Sequence, residues 1–197
     1  GEGGYVVPPP EFHQELRKLC DKHGILMIVD EVQSGMGRTG KMFAMEHWNV
    51  VPDIICLAKA LGGGLPCGAV GGTTEVMSAI TDGRYSQVGT FNGNPLTMAS
   101  AKAMLSEVLT PEAYVQADEV GSYILQNSLE VLKNHGQPAY GYHFGFKVCV
   151  VFSGEVATNY RKFLTFNTAV SHLHFLKQFN GGVFLPPWGK SESITMS

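Results

Sequence analysis

Residues 25–64 read ILMIVDEVQSGMGRTGKMFAMEHWNVVPDIICLAKALGGG. This stretch decides the fold because it contains two short apolar runs, residues 25–29 and residues 54–58. Continuous apolar runs of this length are typical of strands buried on both faces of a parallel sheet. The segment between them is long enough for a crossover connection. The sequence therefore predicts an α/β fold with a mainly parallel sheet and flanking helices.

Each apolar run ends in a charged residue, Asp30 after the first and Lys59 after the second. Open α/β folds bind ligands at the carboxyl edge of the sheet, so we expect both side chains to face one crevice. The alternative is that both are solvated charges at strand ends. Residues 60–66, ALGGGLP, form a glycine turn that can bring backbone close to a bound group, which favours the binding site.

The pairing of an amine with a carboxylate indicates a particular cofactor. A lysine desolvated by an apolar strand loses part of its preference for the charged form, which suits Schiff-base chemistry with a carbonyl. A carboxylate nearby can keep a pyridine nitrogen protonated and so strengthen an electron sink. Lys59 and Asp30 are thus the pair that pyridoxal 5'-phosphate (PLP) requires.

Three motifs occur in order: DEVQSG at residues 30–35, GRTG at 37–40 and PDIICLAKALGGGLP at 52–66. Together they resemble the class III aminotransferases, which are fold type I enzymes that use PLP. The resemblance covers roughly residues 1 to 110 well. It implies an enzyme that moves an amino group between an amine or ω-amino acid donor and a 2-oxo acid acceptor, and that works as a homodimer.

The resemblance also implies roles for residues of the two strand ends. Lys59 would carry the cofactor and move a proton between the substrate and the cofactor. Asp30 would pair with the pyridine nitrogen, Val32 would pack on the ring face, and Gln33 would reach the phenolic oxygen.

Two further site residues come from loops. Residues 89–95, GTFNGNP, form a polar loop before a predicted helix over 96–109, and such loops bind phosphate or simply cap the helix. The resemblance implies that Thr90 contacts the cofactor phosphate of the neighbouring subunit. Glu2 falls where ornithine-type members keep an acid in the substrate pocket, and a plain loop carboxylate is the alternative.

A competing motif lies at residues 35–40, where GMGRTG matches the dinucleotide-binding pattern G-x-G-x-x-G. Asp53 mimics the acid that binds a ribose. Two details argue against this interpretation: Asp30 and Glu31 crowd the pyrophosphate position, and Asp53 precedes an apolar run instead of ending one.

The sequence predicts two domains. Residues 1–109 would be part of the large PLP-binding domain, and 110–197 a connecting helix plus part of a smaller α+β C-terminal domain. Helices are predicted over 11–23, 111–134 and 159–178, and a strand over 144–152. In that strand, Lys147 is expected to face solvent or an edge. His172 and His174 point apart on a helix, so no metal site is predicted.

Composition excludes several classes of partner. The net charge is −3 without a basic cluster, which argues against nucleic acid. No apolar run approaches the roughly 20 residues of a membrane span, and the start does not resemble a signal peptide. Four unpaired-looking cysteines indicate a reduced, cytoplasmic protein.

Alternatives to an aminotransferase remain open at this point. Residues 183–188, VFLPPW, look like the glutamate-1-semialdehyde aminomutase branch, which moves an amino group within one molecule. The chain of 197 residues opens with GEGG and is expected to be an internal fragment of an enzyme about twice as long. An isolated fragment would then be inactive, and a catalytically silent α/β fragment or binding module is the third alternative.

Overall fold

The computed structural model describes residues 5–185 and the backbone of 191–195. The chain forms two compact units, Pro10–Tyr114 and a second unit that joins the residues up to Pro9 with those from Val115 onward. The boundary lies a few residues after the predicted one. The assignment of these units to a large and a small domain stays a prediction.

The first unit contains helices and strands in alternation. Its elements are α1 (Phe12–His23), β1 (Ile28–Asp30), the 3-10 helix Ala44–Trp48, β2 (Ile54–Leu57), the 3-10 turn Lys59–Gly62, β3 (Ala69–Gly72), α2 (Thr74–Thr81), and α3 (Pro95–Ala103), which continues as the π turn Met104–Val108. The predicted helix over 11–23 is confirmed. It ends at Gly24, whose φ of 62° is the left-handed conformation that glycine adopts readily.

The first sheet has the strand order β1-β2-β3. Strands β1 and β2 are parallel, with Ile28 opposite Ile54 and Asp30 opposite Cys56, which confirms the predicted pairing. Strand β3 pairs with β2 in the antiparallel direction, so the sheet is half parallel and not mainly parallel. Strand β1 begins later than predicted because the backbone of Met27 bonds to the backbone and carboxylate of Asp53.

The prediction that both strands are buried on two faces is wrong. Ile28 of β1 is 61% exposed, and the four residues of β2 are only half-buried. Helix α1 and the 3-10 helix cover one face only, where Met27 and Val29 pack in a cluster with Met45. Alternating residues of β1 therefore have opposite environments.

The second unit is built on an antiparallel sheet of order β4-β5-β6. Its elements are α4 (Pro111–Asn134), whose first turn belongs to the other unit, β4 (Tyr140–Phe144), β5 (Lys147–Val151), α5 (Tyr160–Leu164), α6 (Ala169–Asn180) and β6 (Ser191–Thr195). The helix over 111–134 is confirmed. No helix of the described residues is long and apolar enough to cross a membrane.

Three details of the second unit correct the sequence prediction. The strand predicted over 144–152 is observed only over β5, because Gly145, with a φ of 54°, turns the chain between β4 and β5 to form a hairpin. The helix predicted over 159–178 is two helices. Lys147 lies on the central strand, not an edge, and its Nζ is 4.6 Å from the ring centroid of Tyr5.

Candidate active site

The two predicted charges lie at the same edge of the parallel strand pair. Asp30 is the last residue of β1 and pairs with Cys56, and Lys59 follows Cys56 three residues later. Asp30 is exposed, and its Oδ1 accepts a hydrogen bond of 2.9 Å from the Val32 N–H. Its Oδ2 has no hydrogen bond to any residue that the structure describes. A carboxylate oxygen therefore remains open toward a ligand.

Lys59 has a strained backbone and an exposed side chain. Its φ of 46° is unusual for a residue with a Cβ, and such a conformation costs about 1–3 kcal/mol. Within the described part of the chain, its amine forms no salt bridge. The expectation that the apolar strand desolvates this amine is wrong, because the Lys59 side chain is exposed to solvent. The amine is therefore accessible to a carbonyl compound.

The glycine turn after Lys59 packs against α3. A Cβ on Gly62 would lie 2.9 Å from the Cβ of Cys67, and one on Gly63 would lie 2.9 Å from the Ser100 Oγ. The Ser100 hydroxyl donates a hydrogen bond of 2.8 Å to the Gly62 carbonyl. Gly64, with a φ of 97°, has no atom within 4 Å of a built Cβ. Two glycines thus serve protein packing, and Gly64 leaves backbone open to a bound group.

Val32 and Gln33 follow Asp30 directly and are half-buried in a series of turns. This series excludes the dinucleotide alternative, because no α-helix begins at the glycines of residues 35–40. The Asp53 carboxylate is also engaged. It accepts hydrogen bonds of 2.6 Å from Arg17 and from the Met27 N–H, and these lower its pKa.

Thr90 lies in an exposed turn before α3. Asn94, and not Thr90, caps that helix, because its side-chain oxygen accepts from Leu96 N–H at 3.0 Å and from Thr97 N–H at 3.3 Å. No described hydrogen bond links Thr90 to Asp30 or Lys59. The predicted substrate residue Glu2 lies outside the described residues.

Sequence reasoning assigned no site role to Glu31, the fully buried neighbour of Asp30. Only 1% of Glu31 is exposed, and its carboxylate accepts from the Ser34 hydroxyl at 2.5 Å and the Met45 N–H at 3.0 Å. Burial lowers the pKa of His13, and the charge of Glu31 opposes that shift. The available signal was the pair of adjacent acids, because alternation directs consecutive side chains to opposite faces.

Comparison with known proteins identifies the family of this chain. The family model for Aminotransferase class-III matches residues 1–139, which include every described site residue. The chain belongs to the class III aminotransferase family. Enzymes of this family depend on PLP.

Solved structures agree with this membership. The chain is similar to an ω-transaminase from Sphaerobacter thermophilus, with 29% identity and a TM-score of 0.85, and the match covers 98% of this chain and 44% of that chain. An N-acetylornithine aminotransferase from Stenotrophomonas maltophilia K279a matches at 28% identity with a TM-score of 0.79. The match covers 98% of this chain and 47% of that chain. A taurine:2-oxoglutarate aminotransferase from Bifidobacterium kashiwanohense, in complex with PLP and glutamate, matches at 27% identity with a TM-score of 0.81. The match covers 99% of this chain and 44% of that chain. The chain therefore has the fold of part of a PLP-dependent aminotransferase, and it spans about half the length of these structures.

Proposed function

We propose that the protein containing this chain is a PLP-dependent aminotransferase that moves an amino group between an amine or ω-amino acid and a 2-oxo acid. The placement of Asp30 and Lys59 at one edge of a parallel strand pair, in a class III chain, carries this proposal. Both side chains are exposed there, so a small molecule can reach them.

The residues at this edge fit PLP by their chemistry. The cofactor needs an anion for its pyridine nitrogen, and Asp30 has a carboxylate oxygen without a described hydrogen bond. It needs an amine for its aldehyde, and the exposed Lys59 has no described ion partner. The open backbone at Gly64 leaves room beside the lysine.

The proposal assigns a role to each of the four residues at this edge. PLP, when bound, supplies an electron sink for the bond cleaved at the substrate Cα. The Lys59 amine would hold the cofactor and would move the proton that leaves the substrate Cα. Asp30 keeps the pyridine nitrogen protonated. Val32 packs on the ring face, and Gln33 donates toward the phenolic oxygen.

A homodimer forms part of this proposal, with Thr90 binding the phosphate held by the neighbouring subunit. Large apolar residues around Thr90 are exposed: Tyr85 by 61%, Val88 by 85%, Phe91 by 82% and Leu96 by 69%. Several large apolar residues exposed within a short segment are typical of a protein contact. A second copy that covers it would bring Thr90 to an interface.

The amino donor is proposed only as a class. The names of the similar structures contain N-acetylornithine and taurine, which share a primary amine and an acidic group and differ otherwise. No comparison specifically favours the aminomutase alternative, and its signal at residues 183–188 lies partly outside the described residues. A cytoplasmic location stays a prediction that rests on four free cysteines.

Borohydride reduction tests the proposal. The natural protein containing this chain is mixed with PLP, reduced with sodium borohydride and digested, and the pyridoxyl-labelled peptide is identified by mass spectrometry. We expect the label on Lys59, with Lys41 and Lys102 as internal controls for exposed lysines. Label on another lysine would overturn the site, and absence of specific label together with absence of amino transfer would overturn the function.

A further inference from the structure

We infer that Glu31 is a positioning residue that fixes the segment facing the cofactor, residues 30–33. This inference rests on the proposed function, because the segment matters only if Asp30, Val32 and Gln33 contact PLP. Glu31 itself points away from that edge into the protein.

The hydrogen bonds of Glu31 join separate parts of the chain. Its N–H donates 2.9 Å to the Cys56 carbonyl of β2, and its own carbonyl accepts 2.8 Å from the Gly35 N–H. Its side chain adds the bonds from Ser34 and from Met45 at the start of the 3-10 helix. One residue therefore ties the end of β1 to the neighbouring strand, to the following turns and to a helix.

The packing around Glu31 leaves little freedom. A Cβ on Gly35 would lie 2.9 Å from the Glu31 carbonyl oxygen and 3.1 Å from its Cβ, so only glycine fits there. The turn continues through Thr39, whose hydroxyl donates 3.4 Å to the Ser34 carbonyl, and His47 bonds to the Thr39 carbonyl at 2.8 Å. Contacts of Glu31 and of Thr39 thus hold the chain on both sides of residues 32–34.

A buried carboxylate is a costly way to fill a core. Replacement by an apolar side chain of similar size is often neutral or stabilising for a buried charged group. Glu31 forms no salt bridge among the described residues, and its two side-chain partners are neutral donors. This cost is explained if the directional bonds set the geometry of Asp30, which lies one residue away and whose Oδ1 accepts from the Val32 N–H. An apolar residue could fill the volume but could not set that direction.

The test compares Glu31→Gln with wild type and with Glu75→Gln, an exposed glutamate of the same unit that has no described side-chain bond. The apparent dissociation constant of PLP is measured by absorbance titration, and folding is checked by circular dichroism. We expect Glu31→Gln to weaken PLP binding about tenfold and Glu75→Gln to leave it unchanged. Ser34→Ala, which removes one of the two side-chain donors, should give a smaller loss in the same direction.

A double-mutant cycle with Asp30→Asn separates positioning from a general loss of stability. If Glu31 acts through Asp30, Glu31→Gln should weaken PLP binding much less in the Asp30→Asn background than in wild type. Equal losses in both backgrounds would overturn the inference, as would folded Glu31→Gln that binds PLP like wild type. Where Glu31→Gln does not fold, Ser34→Ala with the same cycle decides. Wild type that binds no PLP refutes the proposed function instead.

Discussion

The two sheets of this chain differ in how their apolar residues are covered. In the second sheet, the central strand β5 is almost completely inaccessible, with Val148 at 2%, Cys149 at 1% and Val151 at 1% exposure. In the first sheet, Ile28 and Val70 are more than half exposed. Both sheets have three strands, so strand number does not explain the difference.

The difference follows what each sheet is proposed to do. The first sheet presents Asp30 and Lys59 at the edge where we propose that the cofactor binds, and the buried Glu31 bonds to the turns that follow β1. The second sheet has a closed core around Val151 and Phe163, and no site residue is proposed on it. In this proposal the first sheet holds the cofactor site, and the second sheet contributes a closed core.

The largest expected effect comes from replacing one lysine in each sheet and comparing the two variants. Lys59→Ala should lower amino transfer by about 10²- to 10⁴-fold in the natural protein, because no other lysine among the described residues follows the end of β1 or β2. It should not lower thermal stability, because the side chain is exposed and its left-handed backbone is strained. Steady-state kinetics and circular dichroism measure the two effects.

Lys147→Ala is the matched control in the second sheet. It should keep amino transfer and lose about 0.5–1 kcal/mol of stability with the Tyr5 contact. If Lys147→Ala loses amino transfer and Lys59→Ala keeps it, the proposed roles of the two sheets are wrong.

The sequence predicted the features that depend on a local pattern of residues. The parallel pairing and the shared edge of Asp30 and Lys59 follow from two apolar runs that end in charges. The helix over 111–134 follows from its periodic apolar residues, and the end of α1 follows from Gly24.

The parts that the sequence did not predict depend on neighbours distant in the chain. The hairpin at Gly145 was missed because an apolar strand pattern continues through the turn. The exposure of Ile28 depends on which elements cover a face, and composition does not report that. The role of Glu31 depends on Met45, fourteen residues away, whose N–H it accepts.

A matched pair of valines compares the two cores. Val151→Ala should lower the free energy of unfolding by about 2 kcal/mol, because two buried methyl groups are lost and a cavity remains. Val70→Ala should cost much less, because that side chain is 52% exposed. Urea unfolding followed by circular dichroism measures both. Equal costs would show that a second copy or another segment covers the first sheet in solution.

Ser100 and Ser171 should respond differently to replacement by alanine. Ser100→Ala removes the hydroxyl that donates to Gly62, so it should cost about 1 kcal/mol and weaken PLP binding through the lysine turn. Ser171 in α6 is 4% exposed, and its hydroxyl has no partner among the described residues. Ser171→Ala should therefore be neutral or stabilising, since alanine also favours the helix. Thermal melts of both variants check the signs, and destabilisation by Ser171→Ala would contradict them.

The smallest expected effect concerns the pH dependence of stability. The pKa of Asp53 in the first unit is lowered from its ordinary value of 3.8, chiefly by the hydrogen bond from the Met27 N–H and then by Arg17. The pKa of Glu155 in the second unit is lowered from 4.5, chiefly by Lys162. A lowered carboxyl pKa stabilises the folded state fully above the unfolded value, and this contribution is lost as the pH falls through the folded value. Melting temperatures between about pH 7 and about pH 2 should therefore fall less steeply in Asp53→Asn and in Glu155→Gln than in wild type.

High salt should distinguish the contributions of Asp53 and Glu155 to stability. At 1 M salt the screening length is about 3 Å, so the exposed Glu155–Lys162 pair should stop contributing. Asp53 should keep most of its effect, because a hydrogen bond from a backbone N–H is its largest cause and its side chain is only 23% exposed. At high salt, Glu155→Gln should then match wild type at every pH, while Asp53→Asn still differs above the ordinary pKa. An Asp53→Asn variant that keeps the wild-type pH slope at both salt concentrations would show that this carboxylate is an ordinary solvated charge.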